Sequence, residues 1–243
     1  YPIGEIVAVE GTAHSISQNG QKKLQPGDPV YFNAKIETGA ESRALILFID
    51  DTQIMIGGNA RLEIDEFVFD PYDPAENEAE FSFLKGPFLW ASGLIARKDE
   101  PDVQLRTPHG SIGIRGTTVW GGTLDQGFGV FVAEGLVNFS GNWGSADIPA
   151  GKGVFLGQNN QPGETKPWAE QTVNTALKTI TFRNKDAATL ERQLKILKKG
   201  NMQKRHDYRA RMFPFKENPY RKKLKIEEDD FFTDEFNEMR GRQ

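Results

Sequence analysis

Apolar residues over the first two-thirds of the chain fall in short runs, each closed by glycine, proline, asparagine or aspartate. Runs at 3–9, 13–18, 21–24, 44–49, 53–56 and 61–69 are followed by others at 81–84, 88–96, 103–106, 111–117, 130–133, 137–140 and 154–156. Strands about ten residues apart, with turn residues between them, predict an all-β unit of sandwich, barrel or solenoid type. Asn19-Gly20 predicts a two-residue hairpin, because both turn positions then need positive φ. Asp50-Asp51-Thr52 splits two apolar runs and predicts another. Residues 70–80 form an acidic loop that contains Pro71 and Pro74.

The β region also repeats itself. Val9-Glu10-Gly11, Gly20, Leu24, Gly27 and Val30 recur as Ala133-Glu134-Gly135, Gly144, Ile148, Gly151 and Val154, always 124 positions on. Glycine is the residue that tolerates positive φ, so glycines at matched spacing predict matched backbone turns. Each copy reads as strand, Glu-Gly turn, hairpin and strand.

Beyond residue 157 the pattern changes. Residues 158–185 read as a linker with room for one strand, marked by Gln161-Pro162-Gly163 and Lys166-Pro167. Residues 186–200 read as an amphipathic basic helix. Asp186 can cap it, Leu190, Leu194 and Leu197 fall at helical spacing, and Gly200 can end it. Residues 201–243 read as an extended charged and aromatic tail that cannot build its own core. Its Tyr208, Phe213, Phe215, Tyr220, Phe231, Phe232 and Phe236 are candidate partner-binding residues. Aromatic anchors with Arg or Lys between them are typical of a segment that orders on a protein surface.

Charge sharpens this division. Residues 1–165 carry a net −11, residues 166–226 a net +12 and residues 227–243 a net −5. The basic stretch is expected to meet an acidic surface. The acidic β region argues against nucleic-acid binding. There is no cysteine, so disulfides and thiolate metal sites are excluded. No apolar run approaches the roughly 18 residues of a membrane-spanning helix. The first residue is Tyr1, from which removal of a secretory signal is expected.

Little in the chain points to catalysis. His14, His109 and His206 pair with no other residue at metal-ligand spacing, and the acids between 65 and 80 lack the carboxylate-glycine alternation of a calcium loop. There is no Gly-x-Ser-x-Gly elbow and no P-loop. No catalytic residue, metal or cofactor is therefore assigned. Arg115 stands out, flanked by Ile112 and Ile114 on one side and Gly116-Thr117 on the other. Its five fixed donors can satisfy several carbonyls, so an internal clamp is expected, with a ligand carboxylate as the alternative.

The segment Thr107-Pro108-His109-Gly110-Ser111-Ile112-Gly113-Ile114-Arg115-Gly116-Thr117 resembles the most distinctive stretch of the FecR-domain family, roughly T-P-x-A-x-x-G-[IV]-R-G-T. Leu24-Gln25-Pro26-Gly27-Asp28, Thr38-Gly39-Ala40-Glu41-Ser42-Arg43-Ala44, Asp50-Asp51-Thr52, Leu84-Lys85-Gly86 and Ala133-Glu134-Gly135-Leu136-Val137 resemble its other turns in order. Gly110 and Asp51 depart from the pattern. Thr107, Pro108, Gly113, Arg115, Gly116 and Thr117 are the structural motif so marked. The resemblance implies a twisted solenoid- or sandwich-like domain over residues 3–157, periplasmic and non-enzymatic. It further implies work through protein partners, as scaffold or subunit of an envelope assembly or homo-oligomer. The alternative is a signalling module that senses an envelope protein or glycan.

Overall fold

The computed structural model describes residues 1–17, 20–97, 102–157 and 160–183. The expected helix at 186–200 and tail at 201–243, with all seven aromatic anchors, lie outside the described residues.

The strands are β1 (Pro2–Glu10), β2 (Ala13–Ser17), β3 (Gly20–Lys23), β4 (Pro29–Tyr31), β5 (Lys35–Thr38), β6 (Arg43–Phe48), β7 (Gln53–Ile56) and β8 (Arg61–Val68). They continue as β9 (Glu78–Lys85), β10 (Phe88–Ala91), β11 (Asp102–Thr107), β12 (Gly110–Leu124), β13 (Gly127–Gly141), β14 (Gly144–Pro149), β15 (Lys152–Phe155) and β16 (Lys166–Pro167). Among the described residues one α-helix, α1 (Glu170–Ile180), follows. The fold is all-β, as the spacing of turns predicts.

A single hydrogen-bonded sheet curls into two layers. One runs β3-β2-β5-β8-β9-β11 and the other β4-β1-β6-β7-β10. The long strand β12 joins them. Its first residues pair with β11 and its last with β10, while β13 follows its other edge throughout. Neighbouring strands are antiparallel except β9 and β11. The layers meet through aromatic rings. Phe48 lies 5.3 Å from Phe67 and 5.2 Å from Phe81, and Phe81 lies 5.1 Å from Trp90. Such offset and edge-on contacts add to the area that the rings bury.

The sequence pattern separates 130–133 from 137–140, but β13 is one strand. Gly135 takes φ +83°, bending the ladder without ending it. The repeat is real in the backbone. Gly11, Gly20 and Gly27 have φ of 74°, 115° and 90°, against 83°, 112° and 79° at Gly135, Gly144 and Gly151. His14 pairs with Lys23 as Asn138 pairs with Asp147, and Ser17 with Gly20 as Gly141 with Gly144. The two hairpins close opposite edges of the first layer.

The linker expected at 158–185 is largely a structured arm. Strand β16 pairs with β15, and α1 lies on the outer face of the second layer. Ala176, Ile180 and Phe182 cover Ala8, Leu45, Met55 and Trp120. Trp168 stacks on Phe155 at 4.4 Å and Phe131 at 5.2 Å. It rests on Gly129 and Gly153; a Cβ at Gly153 would fall 2.5 Å from the indole. Strands β6 and β7 are therefore covered on both faces, which explains why Ala44–Phe48 and Ile54–Ile56 are unbroken apolar runs.

Candidate functional site

Two corners, one in each repeat, carry positive-φ glycines, Gly11 at the first and Gly116 and Gly135 at the second. At the first, β1 passes into β2 at Gly11-Thr12, and β5 into β6 at residues 39–42. Gly11 leaves room for the Ser42 side chain, whose Oγ accepts the Thr12 N–H at 2.9 Å. Arg43 is 5% exposed and binds inward from this corner. Its Nη1 donates to the Glu41 carbonyl at 3.1 Å and Glu10 Oε1 at 3.4 Å, and its Nη2 to the Lys178 carbonyl at 3.0 Å. Burial lowers the pKa of this guanidinium, with the Arg183 charge adding to the effect. Arg183 completes the latch. Its backbone N–H donates to Glu10 Oε2 at 2.7 Å, and its Nη1 to Glu41 Oε2 at 3.0 Å. The first corner thus holds the end of α1.

The second corner is the middle of the β12–β13 hairpin, where the register shifts between Arg115 and Thr118. Gly116 takes φ +56° opposite Gly135. A Cβ on Gly135 would stand 2.6 Å from the Gly116 carbonyl oxygen. Thr117 is buried, and its N–H donates to Ser92 Oγ at 2.8 Å. Ser92 in turn donates its N–H to the Thr117 carbonyl at 2.9 Å. Thr118 Oγ1 donates to Glu134 Oε2 at 3.0 Å, so Thr118 faces Glu134 as Arg43 faces Glu10.

The loop after Ser92 is pinned to the Asp50 turn. Asp50 is fully buried. Its carboxylate accepts the Thr52 N–H at 2.9 Å, the Thr52 hydroxyl at 2.7 Å and the Ile95 N–H at 3.3 Å. Desolvation nevertheless raises its pKa, with Asp51 adding to the effect against those hydrogen bonds. Asp50-Asp51-Thr52 is therefore a structural joint.

The motif residues take different parts. Thr107 and Pro108 open the β11–β12 turn, where Thr107 Oγ1 donates to the Gly110 carbonyl at 2.8 Å. His109 stacks on Phe128 at 4.3 Å. Gly113 lies mid-strand between Gln104 and Asn138. Gly116 and Thr117 shape the second corner. Arg115 corrects the expectation of an internal clamp: it is exposed, beside Leu136, which is 39% exposed. The buried clamp is Arg43. It sits in the Thr38–Ala44 stretch already singled out, but its partners Glu10 and Lys178 are far away in sequence.

The acidic residues gather on the exposed face of β8, β9 and β11, where Glu66 neighbours Glu80 and Glu78 neighbours Asp102. They border a shallow groove of about 300 Å³. Lys35 and Arg106 already pair with Glu63 and Glu80 at 2.9 and 2.8 Å. Among the described residues no group of three or more His, Asp or Glu side chains is placed to hold a metal. None of their helices is long and apolar enough to cross a membrane.

The family model described as FecR protein matches residues 34–138. Over those residues the chain is similar to a FecR domain. The match contains the second corner whole and the Thr38–Arg43 side of the first. No curated protein matches the chain. Two crystal structures of candidate anti-sigma factors from Parabacteroides distasonis ATCC 8503 are similar. The one at 1.65 Å resolution has 13% identity and TM-score 0.46, over 59% of this chain and 64% of its own. The one at 2.50 Å has 12% identity and TM-score 0.47, over 67% and 73%. This chain therefore spans less than two-thirds of the first neighbour.

Proposed function

We propose that this FecR domain is a non-enzymatic regulatory module of the cell envelope that recognises a protein partner in the periplasm. The observation that carries the reading is where the FecR match falls. It contains the whole β12–β13 corner, and there the motif's arginine points to solvent and not into the fold. A side chain so placed serves recognition better than stability. The acidic sheet face gives the same domain a field that favours basic partners.

The reading is tested in the native host. An in-frame deletion of the coding region for the chain should change transcription of a small gene set, and the intact chain should restore it. Fractionation should recover the protein with the periplasmic contents. Unchanged transcription, with loss of a defined envelope complex, would favour a scaffold subunit instead. The occupied first corner lends that second reading some support, since it shows the fold gripping a polypeptide segment.

A further inference from the structure

The repeat places two similar corners on one domain, and among the described residues only the first holds a chain segment. At the first, the end of α1 is held by Arg43, Glu10 and Glu41. At the second, Arg115, Gly116, Ala133, Glu134, Gly135 and Leu136 are all exposed. Gly116 and Gly135 take φ of +56° and +83° there, and the bend is tied to the neighbouring loop by Thr117 N–H donating to Ser92 Oγ at 2.8 Å. Arg115 and Leu136 are direct cross-strand neighbours on that rigid bend.

We propose that this second corner docks a polypeptide segment of a partner protein, and that the segment offers a carboxylate beside an apolar side chain. The first corner shows the kind of occupant that this geometry accepts, a chain segment gripped by guanidinium and carboxylate. The chemistry of the second sets the details. Arg115 presents a planar fork of donors that a carboxylate matches with two hydrogen bonds. Leu136 supplies the apolar contact next to it. A pre-set backbone loses little freedom on binding, so a small anchor suffices. Arginine is also among the residues most enriched where binding energy concentrates.

The inference rests on the reading of the domain as a partner-recognition module and locates the surface. It is tested with the full chain in its native host, carrying p-benzoylphenylalanine at Leu136 for photo-cross-linking. Irradiation should yield one protein adduct, mapped by mass spectrometry to a segment with an Asp or Glu beside an apolar residue. Arg115→Glu and Arg115→Gln should each cut the yield about tenfold or more. Changing the mapped carboxylate to lysine should restore capture by Arg115→Glu. Both variants should keep the wild-type melting midpoint, since the side chain is exposed. An adduct indifferent to Arg115, an adduct to glycan or lipid, or no protein adduct would overturn the assignment. The transcription test stands apart. If deleting the chain alters transcription but Arg115→Glu does not, the corner is wrong and the regulatory reading survives. If deletion is silent, the regulatory reading fails while the cross-link still judges the corner.

Discussion

Two arginines in this domain should respond very differently to the same substitution. Arg43→Met keeps most of the buried stem but removes the guanidinium. Glu10, whose side chain is 14% exposed, keeps the Arg183 N–H but loses its buried cation. The Lys178 carbonyl loses the donor that ties α1 to β6. A hydrogen bond to a charged group contributes about 1.5–3 kcal/mol, and a buried acceptor left unpaired costs about 1–3. With Glu10 partly satisfied, a loss of about 2–4 kcal/mol is expected. For a domain of this size that lowers the melting midpoint by roughly 5–15 °C. Arg115→Met touches an exposed side chain and should stay within about 0.5 kcal/mol. Thermal melts of the two variants beside the parent decide the matter. Equal midpoints for Arg43→Met and the parent, or a larger loss in Arg115→Met, would refute the placement of the clamp.

Other expectations follow from the same geometry. Ending the chain at residue 157 removes Trp168, Ile180 and Phe182 from the outer face; the last two alone bury about 3–6 kcal/mol of transfer free energy, against a typical total of 5–15. That truncation should aggregate or melt without cooperativity, whereas a 1–183 chain should melt cooperatively; indistinguishable melts would show that α1 is dispensable. Gly135→Ala forces a Cβ toward the Gly116 carbonyl at φ +83° and should cost about 2 kcal/mol or more, read as a shifted urea midpoint. Asp50 binds its proton more tightly in the folded state, so its contribution to stability is full below its ordinary pKa of 3.8 and is lost as pH rises through the elevated folded value. Asp50→Asn should abolish that part of the pH dependence and, because an amide nitrogen cannot accept the Ile95 N–H, cost about 1–3 kcal/mol; an unchanged stability-versus-pH curve would refute it.

Much of this fold was legible in the chain because it is written locally. The glycine turns are single-residue demands on φ, so the 124-residue echo appears in the backbone with matched angles and matched hairpin pairs. Stretches such as Thr38–Arg43 and Ile114–Thr117 were visible because a bend between layers needs small or positive-φ residues at fixed spacing. The clamp was less legible. Ile112 and Ile114 point inward, so strand alternation alone turns Arg115 to solvent, and the register shift begins only after it. Nothing local marks Arg43, because its partners lie up to 135 residues away. The α1 segment reads as linker in the sequence because the helix spans only three turns with few apolar residues. Val173, Ala176 and Ile180 nevertheless keep helical spacing, and the unbroken run Ala44–Phe48 signalled that something must cover its second face.

The most direct test of the account joins fold and function at one residue. Arg115→Glu, introduced in the full chain in its native host, is measured for melting midpoint and for the transcriptional response that deletion of the chain alters. The account predicts an unchanged midpoint and loss of that response. An unchanged response with an unchanged midpoint would contradict the assignment of the β12–β13 corner as the docking surface.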